Sequence, residues 1–122
     1  MFQFQSLLRP EYKMIRESTR FLRRKGAKPG HIYALGSSLY YQFSGRAMAV
    51  TVPGFAWTFF LQEQWDRLLA ELKEKPVPYI YVKREPGAHV AAHQPALYKH
   101  LTDNYRVLTS DAAGVWFRRV TP

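Results

Sequence analysis

The chain contains no cysteine, which excludes a disulfide framework and any thiolate-bound metal and leaves the cellular compartment open. Acid is scarce as well: nine Asp and Glu stand against eighteen Lys and Arg, for a net charge of +9. No close carboxylate pair sits where its environment would drive two pKa values apart, so acid–base chemistry has no evident seat. Long apolar runs are missing. The stretches Ala47–Val50 and 52–61 are broken by Thr51, Pro53, Gly54 and Thr58, well short of the roughly 20 apolar residues of a membrane helix. The start, Met1-Phe2-Gln3-Phe4-Gln5, lacks the charged-then-apolar order of a signal peptide. The expectation is a soluble chain.

Motifs for phosphate binding and nucleophilic catalysis are also wanting. Neither G-x-x-x-x-G-K nor G-x-G-x-x-G occurs. Gly36-Ser37-Ser38-Leu39-Tyr40 supplies the first glycine and the serine of a nucleophile elbow, but Tyr40 replaces the second glycine. A bulky side chain there crowds the tight strand-to-helix turn. A hydrolase built on Ser38 is therefore the weakest reading, and helix capping by Ser37 or Ser38 the stronger one. Backbone N–H groups of Gly36, Ser37 and Ser38 at a strand end remain a candidate anion contact. His89 and His93 lie four residues apart, with His100 beyond. Gly87, Ala88 and Pro95 place them in a loop, and no Glu follows His89 as a zincin motif requires. Neither a metal nor a cofactor is expected.

What is present suits one domain over residues 1–122, because 47% hydrophobic and 16% aromatic residues can fill a core. Residues 11–25 read as a helix between Pro10 and Gly26, with Met14, Ile15, Ser18, Phe21 and Leu22 inward. His31–Leu35 is a short strand, followed by a helix through Tyr40, Tyr41 and Phe43 that Gly45 ends. Residues 47–52 read as a second strand. Leu61, Trp65, Leu68, Leu69 and Leu72 form the apolar stripe of a longer helix that Pro76 stops. A strand at Pro78–Val82 precedes a loop over 84–94, and a helix from Pro95 to Asn104 turns Leu97, Tyr98 and Leu101 inward. Tyr105–Thr109 and Val115–Arg118 form an antiparallel hairpin. This alternation predicts an α/β fold, a three-layer α/β/α sandwich with a mixed sheet and a C-terminal hairpin.

Charge is concentrated at the start, where residues 1–30 hold eight basic residues and two acidic ones. Lys13, Arg16, Arg20, Arg23 and Arg24 share one face of the first helix. Such a face is either simply solvated or lies against a polyanion, anionic lipid headgroups among them. Aromatic and basic residues also interleave at Tyr79–Arg84 and Val115–Arg119. Aromatics in strands more often belong to a core, so nucleic acid is the less favoured partner.

The stretch from Ile32 to Arg46, Ile-Tyr-Ala-Leu-Gly-Ser-Ser-Leu-Tyr-Tyr-Gln-Phe-Ser-Gly-Arg, resembles the soluble region after the last membrane helix of bacterial polytopic glycosyltransferases. These are the GT-C-type enzymes related to dolichyl-phosphate-mannose–protein mannosyltransferases and lipid A aminoarabinose transferases. Their tails show a helix, a Pro-Gly turn, a strand and a short helix ending in a Ser-Gly-Arg step, matched here by Tyr12–Lys25, Pro29-Gly30, Ile32–Leu35 and Leu39–Arg46. The later helix, strand and hairpin extend the likeness over nearly the whole chain, although Pro often stands where Ser38 is here. The resemblance implies an accessory, non-catalytic domain on the extracytoplasmic (periplasmic) face of the cytoplasmic membrane. Its partner is the membrane-embedded remainder of the same polypeptide, whose reaction is sugar transfer from a polyprenyl-phosphate donor. The family's catalytic acid lies in the first extracytoplasmic loop, among membrane helices with no counterpart in these residues, so no catalytic residue carries over. Ser44, Gly45 and Arg46 match the family step, Arg46 as an anion contact or as an ion pair holding the fold. A basic module for nucleic acid or another anionic partner is the alternative that rests on charge alone.

Overall fold

Tyr79, Ile80, Tyr81 and Val82 point alternately to two sides of one strand, and all four are buried. A strand buried in this way must be covered on both faces. The computed structural model describes residues 10–121; the expectation for Met1–Gln5 lies outside the described residues. In chain order the regular elements are α1 (Pro10–Thr19), β1 (Tyr33–Leu35), α2 (Leu39–Ser44), α3 (Gln62–Glu74), β2 (Tyr79–Lys83), α4 (Arg84–His93), α5 (Pro95–Asn104), β3 (Tyr105–Ser110) and β4 (Gly114–Arg119). Short 3-10 segments cover Arg20–Arg23 and Gly54–Phe59. The sheet order is β1-β2-β4-β3, with β1 parallel to β2 and the other pairs antiparallel.

Side-chain alternation divides the core into two halves. On one face Tyr33, Leu35, Ile80 and Val82 meet Trp65, Leu68 and Leu72 of α3, Val90 of α4, and Leu97 and Leu101 of α5. On the other, Ile32, Ala34, Tyr79, Tyr81 and Trp116 meet Ile15, Leu22 and Tyr40 from the N-terminal helix and α2. The fold is thus the expected α/β/α sandwich with a mixed sheet and a C-terminal hairpin. Strand β3 forms an edge on which only Tyr105 is buried, and its pairing with β4 is irregular between Val107 and Thr109.

Several local expectations give way. Residues 47–52 form no strand; only Met48 bridges to Ile32. Val50 and Val52 both turn into the core, and the Thr51 amide and hydroxyl donate to the Glu71 carboxylate at 3.1 and 2.7 Å instead of joining a ladder. Residues 84–94 are no loop, because α4 occupies Arg84–His93. Pro86 falls in its first turn, where a missing N–H costs nothing. The first helix relaxes into 3-10 geometry after Thr19, whose hydroxyl donates back to the Ile15 carbonyl at 2.9 Å. Leu61 and Tyr98, expected inside, are exposed. Leu61 sits at the N-cap of α3, outside its apolar stripe, where its N–H donates to Gln64 Oε1 at 2.7 Å.

Leu68 is fully buried and its neighbour Leu69 only partly so. Leu68→Ala is expected to cost about 2–5 kcal/mol, and Leu69→Ala distinctly less. Urea midpoints of the two variants check this, and an equal or larger loss at Leu69 would contradict the packing described.

Candidate functional site

Helix α1 is amphipathic: Ile15 and Thr19 are buried, whereas Lys13, Arg16, Arg20, Arg23 and Arg24, in α1 and the segment after it, are all exposed. Two of these five also touch α2. The Arg16 guanidinium lies 5.9 Å from the centre of the Phe43 ring, and Arg23 donates to the Phe43 carbonyl at 2.7 Å. The basic face is therefore anchored to the second helix of its layer, which gives it a defined orientation on the domain.

The Ser-Gly-Arg step does structural work. Ser44 is buried, and its hydroxyl donates to the Tyr41 carbonyl and accepts the Arg46 N–H. Gly45 ends α2 in the left-handed region at φ 71°, which a residue without Cβ adopts freely. Arg46 donates to three carbonyls, Lys28 and Gly30 at 2.7 and 3.2 Å through Nη1 and Leu22 at 2.8 Å through Nη2. Its guanidinium also lies over the Tyr79 ring at 5.7 Å. Arg46 holds the fold, through backbone oxygens rather than through an ion pair, by clamping the turn between α1 and β1 to α2.

The turn at Gly36-Ser37-Ser38 is committed as well. The Gly36 N–H donates to the Gly54 carbonyl at 3.1 Å, and the Leu39 N–H to Ser37 Oγ at 3.2 Å. Ser38 occupies the cap position without a capping bond from its side chain. Capping passes to Ser37, and the backbone group that an anion would use first, that of Gly36, is already paired.

A buried polar network joins elements that the sequence reading kept apart. Tyr81 donates to Asp111 Oδ1 at 2.7 Å, and the Tyr40 hydroxyl lies 2.8 Å from both Tyr81 Oη and Asp111 Oδ2. Two phenolic protons thus serve three oxygen–oxygen contacts, so the Tyr40 proton is shared. The two rings stack with centroids 3.9 Å apart. Asp111 Oδ1 also accepts the Ala113 and Gly114 N–H groups, and Ser18, which accepts Trp116 Nε1 at 2.9 Å, lies beside the same carboxylate in the wall of one groove. Burial raises the Asp111 pKa, but the bonds from Tyr81, Tyr40 and Ala113, with Ser18 beside them, outweigh it and leave the carboxyl below its usual range. Burial pushes both phenols up; for Tyr40 the bonds to Tyr81 and Asp111 add to this, and for Tyr81 the bond from Tyr40 opposes it while Asp111 adds to it. At neutral pH the carboxylate is a fixed acceptor and the phenols fixed donors, which makes the cluster a keystone between α1, α2, β2 and the hairpin rather than an acid–base pair. It borders a groove of about 610 Å³ between α1 and the hairpin, lined by Glu17, Arg24 and Arg118 among others.

His89 and His93 stand one turn apart on α4 with ring centroids 5.1 Å apart. His89 stacks on Trp65 at 5.1 Å and leans on Trp57 at 5.7 Å, the packing of a core-margin aromatic. His100 lies on α5, where its pKa is lowered by burial and by Arg119 and Lys73. Among the described residues no group of three or more His, Asp and Glu is placed to hold a metal ion. A crevice of about 350 Å³ opens at the carboxyl ends of β1 and β2, bordered by Gly36, Trp57, Lys83, Arg84 and Glu85.

Sequence reasoning missed the Tyr40–Tyr81–Asp111 network and an exposed aromatic turn over residues 54–61. Asp111 had one signal, since an Asp opening a turn that ends in Gly bonds its own backbone two or three residues on. The pairing of Tyr40 with Tyr81 had none, because it spans 41 residues. Comparison with models of protein families, with curated proteins and with solved structures finds no match.

Proposed function

We propose that this chain is the accessory, non-catalytic domain of a polyprenyl-phosphate-sugar-dependent membrane glycosyltransferase, held at the extracytoplasmic membrane surface by the basic face of α1. The order of elements along the chain, from the first helix through the Ser-Gly-Arg step to the hairpin, supports the family reading. The observation that carries the surface role is the exposure of Lys13, Arg16, Arg20, Arg23 and Arg24 on a helix whose opposite side is buried. Each basic residue near an anionic leaflet contributes about 1 kcal/mol of attraction. The domain's task is then to sit over the membrane-embedded part of the same polypeptide and help position the acceptor.

Sedimentation with vesicles tests this. The chain should bind vesicles containing phosphatidylglycerol, bind neutral phosphatidylcholine vesicles less, and release as salt rises, since screening shortens electrostatic reach. Changing Arg16, Arg20 and Arg23 together to Glu should reduce binding by roughly two to four orders of magnitude, the product of three lost attractions of about 1 kcal/mol and the added repulsion. The fold should survive, apart from the local Arg23–Phe43 bond. Tighter binding to single-stranded or duplex nucleic acid than to anionic vesicles at equal salt would favour the polyanion module instead. Equal binding to neutral and anionic vesicles would leave the helix an ordinary solvated face.

A further inference from the structure

The sheet has two edges, and only one is covered. Beside β1, residues 47–54 close the edge: the Ile32 N–H donates to the Ala47 carbonyl, the Ala49 N–H to the Ile32 carbonyl and the Gly36 N–H to the Gly54 carbonyl. Strand β3 has no such cover. Among the described residues, the backbone groups of residues 107–110 make no hydrogen bond outside the ladder with β4. In an antiparallel pair, alternate residues turn their N–H and C=O away from the neighbouring strand. The free side of β3 therefore offers donors and acceptors at the spacing of a further strand.

Beside this edge runs the groove of about 610 Å³ between α1 and the hairpin. Met14, Phe21 and Leu108 give it an apolar lining, and the β3–β4 register skips Leu108. The two ends of the groove differ in charge. Trp116 donates to Ser18, and Phe21 meets both Trp116 and Tyr79. Helix α1 and the 3-10 turn after it thus run along β4 toward Arg118, the cross-strand neighbour of Tyr79. Arg24 joins Arg118 at that end of the groove, with Glu17 and Asp111 toward the other. Among the described residues, the guanidinium groups of Arg24 and Arg118 have no hydrogen-bond or ion-pair partner, whereas Asp111 is already engaged by Tyr40 and Tyr81. Arg106, directly across from Arg118, brings a further cation to this end instead of a counter-charge.

We propose that β3 and this groove together bind an extended acidic peptide segment of a partner protein as an added strand. The peptide backbone pairs with the free side of β3, and alternate side chains enter the groove. An apolar one meets Phe21 and Leu108, and an Asp or Glu reaches Arg24 and Arg118 in charge-assisted bonds. Charge favours this occupant over a second copy of the chain, which would bring a net charge of +9 and the same arginines to the contact. The proposal goes beyond the membrane reading and does not depend on it.

Random octapeptides displayed on phage and selected on the immobilised full chain supply the probe. Enriched sequences should carry Asp or Glu among β-branched or aromatic residues. The best of them, synthesised, is titrated into isotope-labelled chain and followed by NMR. Amide signals of residues 107–110 should shift, and their protons should gain protection from exchange. Methylating alternate peptide nitrogens should weaken binding roughly tenfold or more in one of the two alternate sets and leave it intact in the other, because only one set faces β3. Arg24→Gln combined with Arg118→Gln should weaken it roughly tenfold to a hundredfold. Lys13→Gln combined with Arg16→Gln, an equal loss of charge outside the groove, should leave it nearly unchanged. An equal loss from both pairs of substitutions would reduce the attraction to net charge and overturn the proposal. So would a peptide that tolerates methylation in both sets, or a selection that enriches nothing. A dimer in ultracentrifugation that protects the same amides and excludes the peptide would assign the edge to self-association and overturn it as well.

Discussion

Raising the pH above about 10 should unfold this protein cooperatively, with a midpoint between about pH 11 and 12. Tyr33, Tyr40 and Tyr81 are almost fully buried, and desolvation pushes each phenol far above its ordinary value. A folded pKa raised above the unfolded one contributes stability that is complete below the unfolded value and lost as pH rises beyond it. Each such phenol then costs about 1.4 kcal/mol per pH unit above 10, and three together about 4 kcal/mol per unit. Against a total stability of about 5–8 kcal/mol, the lower part of the usual range, as suits a domain of this size, one to two units suffice. Tyr41, half-buried and pushed up to about 12 by burial, adds to the same slope. Phenolate absorbance followed beside far-ultraviolet circular dichroism checks the prediction. The buried phenols should ionise in one step as the helix signal collapses. Smooth ionisation of all eight tyrosines near pH 10 with the dichroism intact would contradict it. The Asp111 carboxyl runs the other way: its depressed pKa gives stability present above about 4 and lost as pH falls through the folded value.

The same tyrosines mark what the sequence could and could not disclose. Periodicity announced α3, β2, α5 and the hairpin, because their apolar residues recur at the spacing of one face and are bounded by Pro or Gly. Residues 47–52 carried the composition of a strand, yet their fate was decided by Glu71, which takes the Thr51 amide from 20 positions away. The segment 84–94 read as loop because it holds Pro and Gly, although Pro86 falls where a helix tolerates it. Of the candidate contacts, the basic face of α1 was legible from spacing alone. Arg46 was singled out by its place in the family-like step, but its role became visible only with the three carbonyls it binds. The aromatic turn escaped notice because Phe55, Trp57, Phe59 and Phe60 are equally apolar in sequence. Only the folded turn, with Trp57 against His89 and Phe60 edge-on to Trp65, separates those that face the core from those that face out.

Gly54→Ala and Gly114→Ala should each destabilise the fold by about 3 kcal/mol, the upper part of the range for overpacking. The two glycines occupy matching places beside the carboxyl ends of the parallel strands. A Cβ on Gly54 would lie 2.5 Å from the Ala34 carbonyl oxygen, 2.8 Å from Tyr33 Oη and 2.9 Å from Leu35 Cα. One on Gly114 would meet the Val82 carbonyl oxygen, Tyr81 Oη at 2.7 Å and Lys83 Cα at 2.8 Å. Backbone cannot swing aside as a side chain can. At Gly114 the turn is also fastened, since the Gly114 N–H donates to Asp111 Oδ1 at 2.8 Å and its carbonyl accepts the Asp111 N–H at 3.0 Å. Relief would require parting β4 from β2 or displacing Tyr81 from Asp111, and either route dismantles the network that ties α1 and α2 to the sheet. Gly26→Ala is the control: at φ 97° it strains the backbone, but its Cβ meets nothing within 4 Å, so only the left-handed penalty of about 1–2 kcal/mol remains. Denaturant midpoints should therefore fall further for Gly54→Ala and Gly114→Ala than for Gly26→Ala. In the Gly114 variant the alkaline midpoint should drop too, because the Tyr81 phenol loses its dry site. A Gly114→Ala protein as stable as the Gly26→Ala control would mean that the hairpin can shift away from β2, and the keystone role assigned to Asp111 would fall with it.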